Sequence, residues 1–304
     1  MHVDEPVGGA DVIAVVLAAF ASVSYGSSDF AGAMGSKRTD SAVVTVSSQL
    51  VSLLTLIPVL IVLRPDAWRV VDLGWGALGG VGVAVALTTF YRALAIGPMS
   101  VAAATTALVG TLVPLAAGLA FGERPSPLTW VGILVSIPAA VVVAAGGPTS
   151  RAARWLPPRE RFAAREHAAT TLRLSLVAGV GFGLFFVALS RTSADSGLFP
   201  LVGARAASVL LLGTVLTVSR NWTAVHRRSW GFVIVAGVLD CAANALYLSA
   251  LEEGQLTWVA AITSLYPATT VVLASLVLRE RLGRWQVVGL LMAAAALALV
   301  AVGR

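Results

Sequence analysis

The sequence predicts an all-α membrane protein, with ten transmembrane helices arranged as two inverted five-helix repeats. Three observations predict it. Hydrophobic residues make up 58% of the 304-residue chain and charged residues only 12%, about half the charge of a soluble domain. The apolar residues run in blocks, and a bilayer-spanning helix needs about 20 of them. The chain also matches itself without a gap when shifted by 157 positions.

The blocks place spans at 12–34, 42–63, 73–96, 100–121, 128–145, 174–190, 198–218, 230–251, 256–278 and 285–302. The start, MHVDEPVGGAD, is acidic, whereas a secretory signal begins with a cationic region, so 12–34 reads as a retained helix. Most connections are short, such as Gly97-Pro98-Met99-Ser100. One is long, from Gly146 to Arg173, with Pro157-Pro158 and six arginines (151, 154, 159, 161, 165, 173). It reads as a basic cytoplasmic linker (146–173) between a first repeat (12–145) and a second (174–302).

The repeat rests on residues that apolar helices do not share by accident. At the constant offset Gly26 falls on Gly183, Gly74 on Gly231, Gly80 on Gly237 and Thr106 on Thr263. Glu123-Arg124 falls on Glu280-Arg281, and Gly132 on Gly289. Five spans per unit is an odd number, so the second unit enters the membrane upside down. Inverted repeats of this kind mark secondary transporters, with binding near midplane between the units.

Arginine and lysine set the orientation. One side carries Lys37, Arg38, the six linker arginines, Arg220, Arg227, Arg228, Arg279, Arg281 and Arg284; the other carries Arg64, Arg69, Arg124, Arg191 and Arg304. The positive-inside rule puts the linker in the cytoplasm and both termini outside. The expected setting is the plasma (cytoplasmic) membrane, multi-pass. The net charge of +6 belongs to this topology and not to a nucleic-acid groove.

Cys241 is the single cysteine, and the three histidines (His2, His167, His226) are scattered. That composition builds neither an internal disulfide nor a zinc site. No metal and no cofactor are expected. Gly80-Val81-Gly82 follows no strand and has no adjacent lysine, so it is not a phosphate loop. The small-xxx-small runs at Gly76…Gly80, Gly118…Gly122 and Gly179…Gly183 suit close helix packing.

The first copy reads Phe90-Tyr91-Arg92-Ala93-Leu94-Ala95-Ile96-Gly97, then Phe121-Gly122-Glu123-Arg124, then Trp130-Val131-Gly132-Ile133-Leu134. The second reads Tyr247-Leu248-Ser249-Ala250-Leu251-Glu252-Glu253-Gly254, then Pro267, Leu278-Arg279-Glu280-Arg281 and Val287-Val288-Gly289-Leu290-Leu291. This pattern resembles the EamA-type repeat of the drug/metabolite transporter superfamily. The first copy has Gly110 where that pattern has proline, and the second has Arg279 where it has glycine. The resemblance implies ten spans and small-molecule transport, often export, and leaves the substrate open.

Ionisable groups inside spans cost about 2.5–3.5 kcal/mol each on insertion scales and are functional candidates by default. Asp29, Arg92, Arg205 and Asp240 lie within the apolar blocks. Asp29 shares a helical face with Ser22, Tyr25 and Gly26. That stripe should face the interior; a pair with Arg92 is geometrically possible, as a helix staple, or in a functional reading as a gate or with Asp29 as a carboxylate that takes and releases a proton. Asp240 shares a face with Asn244 and Tyr247, and Arg205 can reach it across the hairpin. Either the two form a structural ion pair, or Arg205 holds a substrate carboxylate while Asp240 and Asn244 hold an amino group. None of the four charges recurs in the other repeat. Gln49, Thr88, Thr106, Thr263 and Tyr266 are further candidate cavity residues, and Trp258 fits an interfacial belt. Glu123-Arg124 and Glu280-Arg281 read as helix-end caps.

These features point to a secondary transporter that exports a small polar metabolite, such as an amino acid, with protons as a coupling ion. The expected partners are that substrate, lipid and protons, in a monomer or weak homodimer, and not nucleic acid. An uncoupled facilitator, a drug or lipid-precursor transporter and a non-transporting scaffold stay open. An aspartyl membrane protease needs Tyr-Asp and Gly-x-Gly-Asp motifs. Here Asp29 follows Ser28 and Asp240 follows Leu239, so no enzyme is expected.

Overall fold

The computed structural model describes residues 9–120, 127–145, 158–253, 263, 266–279 and 283–302. These form ten α-helices and no strand among the described residues. The first five are α1 (Gly9–Ser36), α2 (Ser41–Val62), α3 (Val70–Ile96), α4 (Met99–Ala120) and α5 (Pro127–Ala145). The second five are α6 (Pro158–Leu189), α7 (Phe199–Val218), α8 (Trp230–Glu253), α9 (Tyr266–Leu278) and α10 (Arg284–Val302). Hydrocarbon leaves no water to satisfy backbone N–H and C=O groups, so apolar blocks become helices, which satisfy them internally. Six helices (α1, α2, α3, α6, α7 and α8) have the length and apolar composition to cross a membrane.

Two elements differ from the expected spans. Helix α6 begins at Pro158, not at residue 174. Proline suits the first turn of a helix, and the segment after it is rich in Ala, Arg and Glu, which favour helix. The helix therefore extends beyond the apolar block into the expected linker. Helix α9 is described only from Tyr266. The expected caps Glu123-Arg124 and Glu280-Arg281, together with Trp258, Gly122, Arg151 and Arg154, lie outside the described residues.

The helices pack mainly on the opposite five. α1 runs along α8, α3 along α6 and α7, α4 along α6, and α5 along α10. Lipid tails are as apolar as leucine, so helix association in a membrane depends on close van der Waals contact at small residues. Glycine supplies it here. A Cβ on Gly80 would strike the Ala204 backbone of α7, and one on Gly237 would strike the Ser48 carbonyl of α2. A Cβ on Gly26 would meet Thr269 and Thr270 of α9, and one on Gly183 would meet Val113 of α4. Gly80 and Gly237, and Gly26 and Gly183, are the pairs that match at offset 157. The shared glycines therefore make equivalent crossings in the two halves. The run Gly76…Gly80 packs α3 on α7, with Gly76 against Pro200.

Two loop clasps tie the halves together. Asp72, buried at the start of α3, accepts hydrogen bonds from the Ser193 amide (3.1 Å) and the Ser196 hydroxyl (2.6 Å) in the loop between α6 and α7. The nearby Arg69–Asp195 pair (3.3 Å) is exposed and adds little. At the other clasp the His226 amide donates to the Thr39 hydroxyl (3.1 Å), and the Ser229 hydroxyl donates to the Gly35 carbonyl (3.2 Å).

Gly80→Val and Gly237→Val are each expected to lower the thermal midpoint, by an overpacking cost of about 1–3 kcal/mol. Gly74→Ala and Gly231→Ala, a matched pair with open space around each, should be neutral or slightly stabilising. A thermal-unfolding series on the purified protein in one detergent checks this, and equal effects at all four sites contradict it.

Candidate substrate site

Helix α1 sorts its residues by face. Ile13, Val16, Phe20 and Val23 are exposed and form one apolar stripe. At 100° per residue Asp29 lies opposite that stripe, beside Ser22 and Tyr25. Ser22 is buried, and Tyr25 and Asp29 are partly buried. The polar stripe therefore turns inward, as expected. Its neighbours fix it there. The Ser28 hydroxyl donates to the Ala236 carbonyl of α8 (2.8 Å), and the Thr270 hydroxyl of α9 donates to the Gly26 carbonyl (3.0 Å).

Arg92 does not meet Asp29. It follows Val71, Leu78 and Val85 at seven-residue spacing, which is the exposed face of α3. It is exposed there, close to the helix end, where a long guanidinium can extend towards the interface. Asp29 has no ion pair and no hydrogen bond among the described residues. The charged and aromatic groups near enough to interact with it electrostatically are Asp240 of α8, Tyr25 of α1, Tyr91 of α3 and Tyr266 of α9.

Arg205 and Asp240 do meet, at 2.7 Å. Arg205 is 3% exposed and Asp240 18%, so the pair is largely desolvated. Ser52 of α2 completes it, accepting from Arg205 Nε (3.2 Å) and donating to Asp240 Oδ2 (2.8 Å). Three helices (α2, α7 and α8) are thus joined by one charge-assisted network. The guanidinium is not left free for a substrate carboxylate. The Asn244 amide donates to the Asp240 main-chain carbonyl one turn back (2.7 Å) and not to its carboxylate.

The remaining candidates divide. Tyr25 and Tyr266 touch edge to face, with ring centroids 6.3 Å apart. Tyr247 packs lower, against Ala14, Ala18 and Ala250. Gln49 is 1% exposed, and its Oε1 has no hydrogen-bond donor among the described residues. It lies one turn before Ser52. The hydroxyls of Thr88 and Thr263 are also unpartnered among the described residues. Thr106 donates to the Ser175 carbonyl of α6 (3.2 Å), which makes it a link between helices.

Sequence reasoning missed three residues. Ser52 carried no signal, because serine is common in apolar helices. Ser208 is buried and unpartnered among the described residues, one turn beyond Arg205 on the same face, and that spacing was readable. Tyr91 lies within the Phe-Tyr-Arg-Ala-Leu motif. Its hydroxyl sits beside Ser28 and Ser48, and its ring covers Gly32, where no Cβ would fit.

A groove of about 420 Å³ on the flank of α1, α8 and α9 is lined by Phe30, Phe232, Val235 and Leu273 and holds none of these candidates.

The EamA-like transporter family matches residues 12–145 and 170–302. The chain belongs to that family. It is therefore a membrane transporter of the drug/metabolite superfamily with a two-repeat helical architecture. A solved structure titled "Crystal structure of protein" is similar in fold, with a TM-score of 0.65 at 15% identity, over 94% of this chain and 95% of that one. No curated protein matches the chain.

Removing one member of the network leaves a buried charge without its partner. Asp240→Asn is expected to destabilise this EamA-like transporter by about 3–5 kcal/mol. The double variant Arg205→Met/Asp240→Leu should recover most of that loss. Denaturation of wild type, Arg205→Met, Asp240→Leu and the double variant in one detergent gives the coupling energy, and a coupling near zero contradicts the network.

Proposed function

We propose that this transporter moves a small polar metabolite by alternating access between its two five-helix units, outwards from the cytoplasm. One observation carries the reading. Helix α1 meets α3 at Gly32 and Tyr91. The repeat-equivalent helices α6 and α8, with Leu189 and Leu248 at the matching positions, scarcely touch. Among the described residues, one end of the bundle carries a helix contact that the matching end lacks. In two units of similar structure and opposite orientation, exchanging those end contacts converts one access state into the other. The equivalent glycine crossings support that inversion, because they would persist while the ends change.

The arginine distribution supports placing the Gly32–Tyr91 end on the cytoplasmic side, with both termini outside. Asp29 lies one turn from Gly32 along α1, between that end and the Arg205–Asp240 pair. A carboxylate without a fixed cation can take up and release a proton as its surroundings change. That supports Asp29 over Asp240 as the coupling site, since Asp240 is held by Arg205 and Ser52.

The test is transport in proteoliposomes. Vesicles are loaded with a mixed metabolite pool, a pH gradient is imposed, and the exported compounds are identified by mass spectrometry. Wild type should move at least one compound in response to the gradient. Asp29→Asn should lose the response to the gradient and Gly32→Val should slow flux, because the Tyr91 ring can no longer seat. Flux that ignores the gradient in wild type identifies an uncoupled facilitator. No flux from correctly inserted protein overturns the transporter reading for this chain.

A further inference from the structure

We infer that the site takes an organic monocation, a protonated amine lacking a carboxylate, and not a zwitterionic amino acid. This rests on the transporter reading above and names its substrate class. Charge balance is the first argument. With Asp29 in its ionised form, the described charges in the site are Asp29 (−1), Asp240 (−1) and Arg205 (+1), which leaves −1. Arg205 is spent on Asp240 at 2.7 Å and on Ser52 at 3.2 Å. Arg92 stands on the exposed face of α3. A substrate carboxylate brought beside Asp29 would meet two acids and no uncommitted guanidinium among the described residues. Burying a charge without a partner is costly, so a zwitterion is penalised where a monocation is neutralised.

The walls are the second argument. Tyrosines from three helices stand within electrostatic range of Asp29: Tyr25 of α1, Tyr91 of α3 and Tyr266 of α9. Tyr25 presents an edge-to-face contact to Tyr266 and not a closed stack, which leaves ring face for a ligand. A cation over tyrosine rings gains about 0.5–2 kcal/mol, and more where water is excluded. The polar groups left unpartnered are the third argument. Gln49 Oε1 can only accept a hydrogen bond, and it lies buried one turn from Ser52 with no donor among the described residues. An ammonium N–H supplies a donor, which excludes a simple anion; the charge balance is what separates the amine from the amino acid.

Two matched sets of probes isolate charge from shape. The aryl set is phenethylamine, phenylalanine and 3-phenylpropionate; the alkyl set is butylamine, norvaline and pentanoate. Binding to the full chain in nanodiscs is read by protection of Asp29 from dicyclohexylcarbodiimide, with labelled peptide quantified by mass spectrometry, and by calorimetry. In at least one set the amine should bind about tenfold or more tightly than its amino acid and its acid, a margin worth about 1.4 kcal/mol. By calorimetry Asp29→Asn should remove that preference, Asp29→Glu should keep it, and Tyr25→Leu should weaken amine binding. Arg92→Ala should change nothing. The inference is overturned if the amino acid or the acid binds best, if Asp29→Asn leaves amine affinity intact, or if neither amine binds. Flux measurements on the same probes separate the two readings. A transported zwitterion or anion sinks the cation assignment alone, whereas a protein that moves no solute sinks both.

Discussion

Backbone contact at glycine is the constraint on which this molecule depends. In a bilayer, burying leucine against leucine gains almost nothing over leucine against lipid. What remains is close packing, and it requires surfaces without side chains. Gly26, Gly80, Gly183 and Gly237 provide them, each set against backbone or Cβ atoms of a helix from the other half. The two clasps, at Asp72 and at Thr39–Ser229, then tie the loops across the same division. The polar interior is arranged inside this frame, since Ser28, Thr270 and Ser52 all bridge helices whose spacing the glycines allow.

Within that interior the charges have separate duties. Arg205 and Asp240 satisfy each other and Ser52, and the ensemble holds α2, α7 and α8 in register. Such a network stabilises little relative to apolar residues of the same volume, but losing one member is costly. Asp29 is not bound in this way. It lies near that pair, with Tyr25, Tyr91 and Tyr266 within electrostatic range and no cation fixed to it among the described residues. The structure thus holds one carboxylate committed to architecture and one that is not, in the same site.

Much of this was legible in the residues, and what was not has identifiable causes. Apolar blocks locate helices well because the bilayer imposes a length. Pro158 and the Ala- and Arg-rich run after it carried α6 past its apolar block, since helix propensity does not stop where lipid does. The inward face of α1 followed from spacing alone. Sequence also brought Arg205 to Asp240, but by the wrong route: α7 and α8 scarcely pack on each other, and α2 lies against both, with Ser52 between the two charges. Arg92 was misplaced as a partner for Asp29. Its seven-residue spacing from Val85 and Leu78 decides the face. Ser52 was invisible, because its importance comes from two residues of the other half. Tyr91 was read as part of a motif and not as the group that covers Gly32.

The cross-packing of the helices has a consequence for how the chain is made. The long contacts of α1 are with α8, and those of α3 are with α6 and α7. The ribosome delivers α1 to α5 well before those partners exist. The first half therefore enters the bilayer with its glycine faces and Asp29 turned towards lipid or towards insertion machinery. It completes its tertiary structure only when α10 arrives to cover α5, more than two hundred residues after α1 began. Biogenesis of this protein is an assembly reaction between two halves that happen to share one polypeptide.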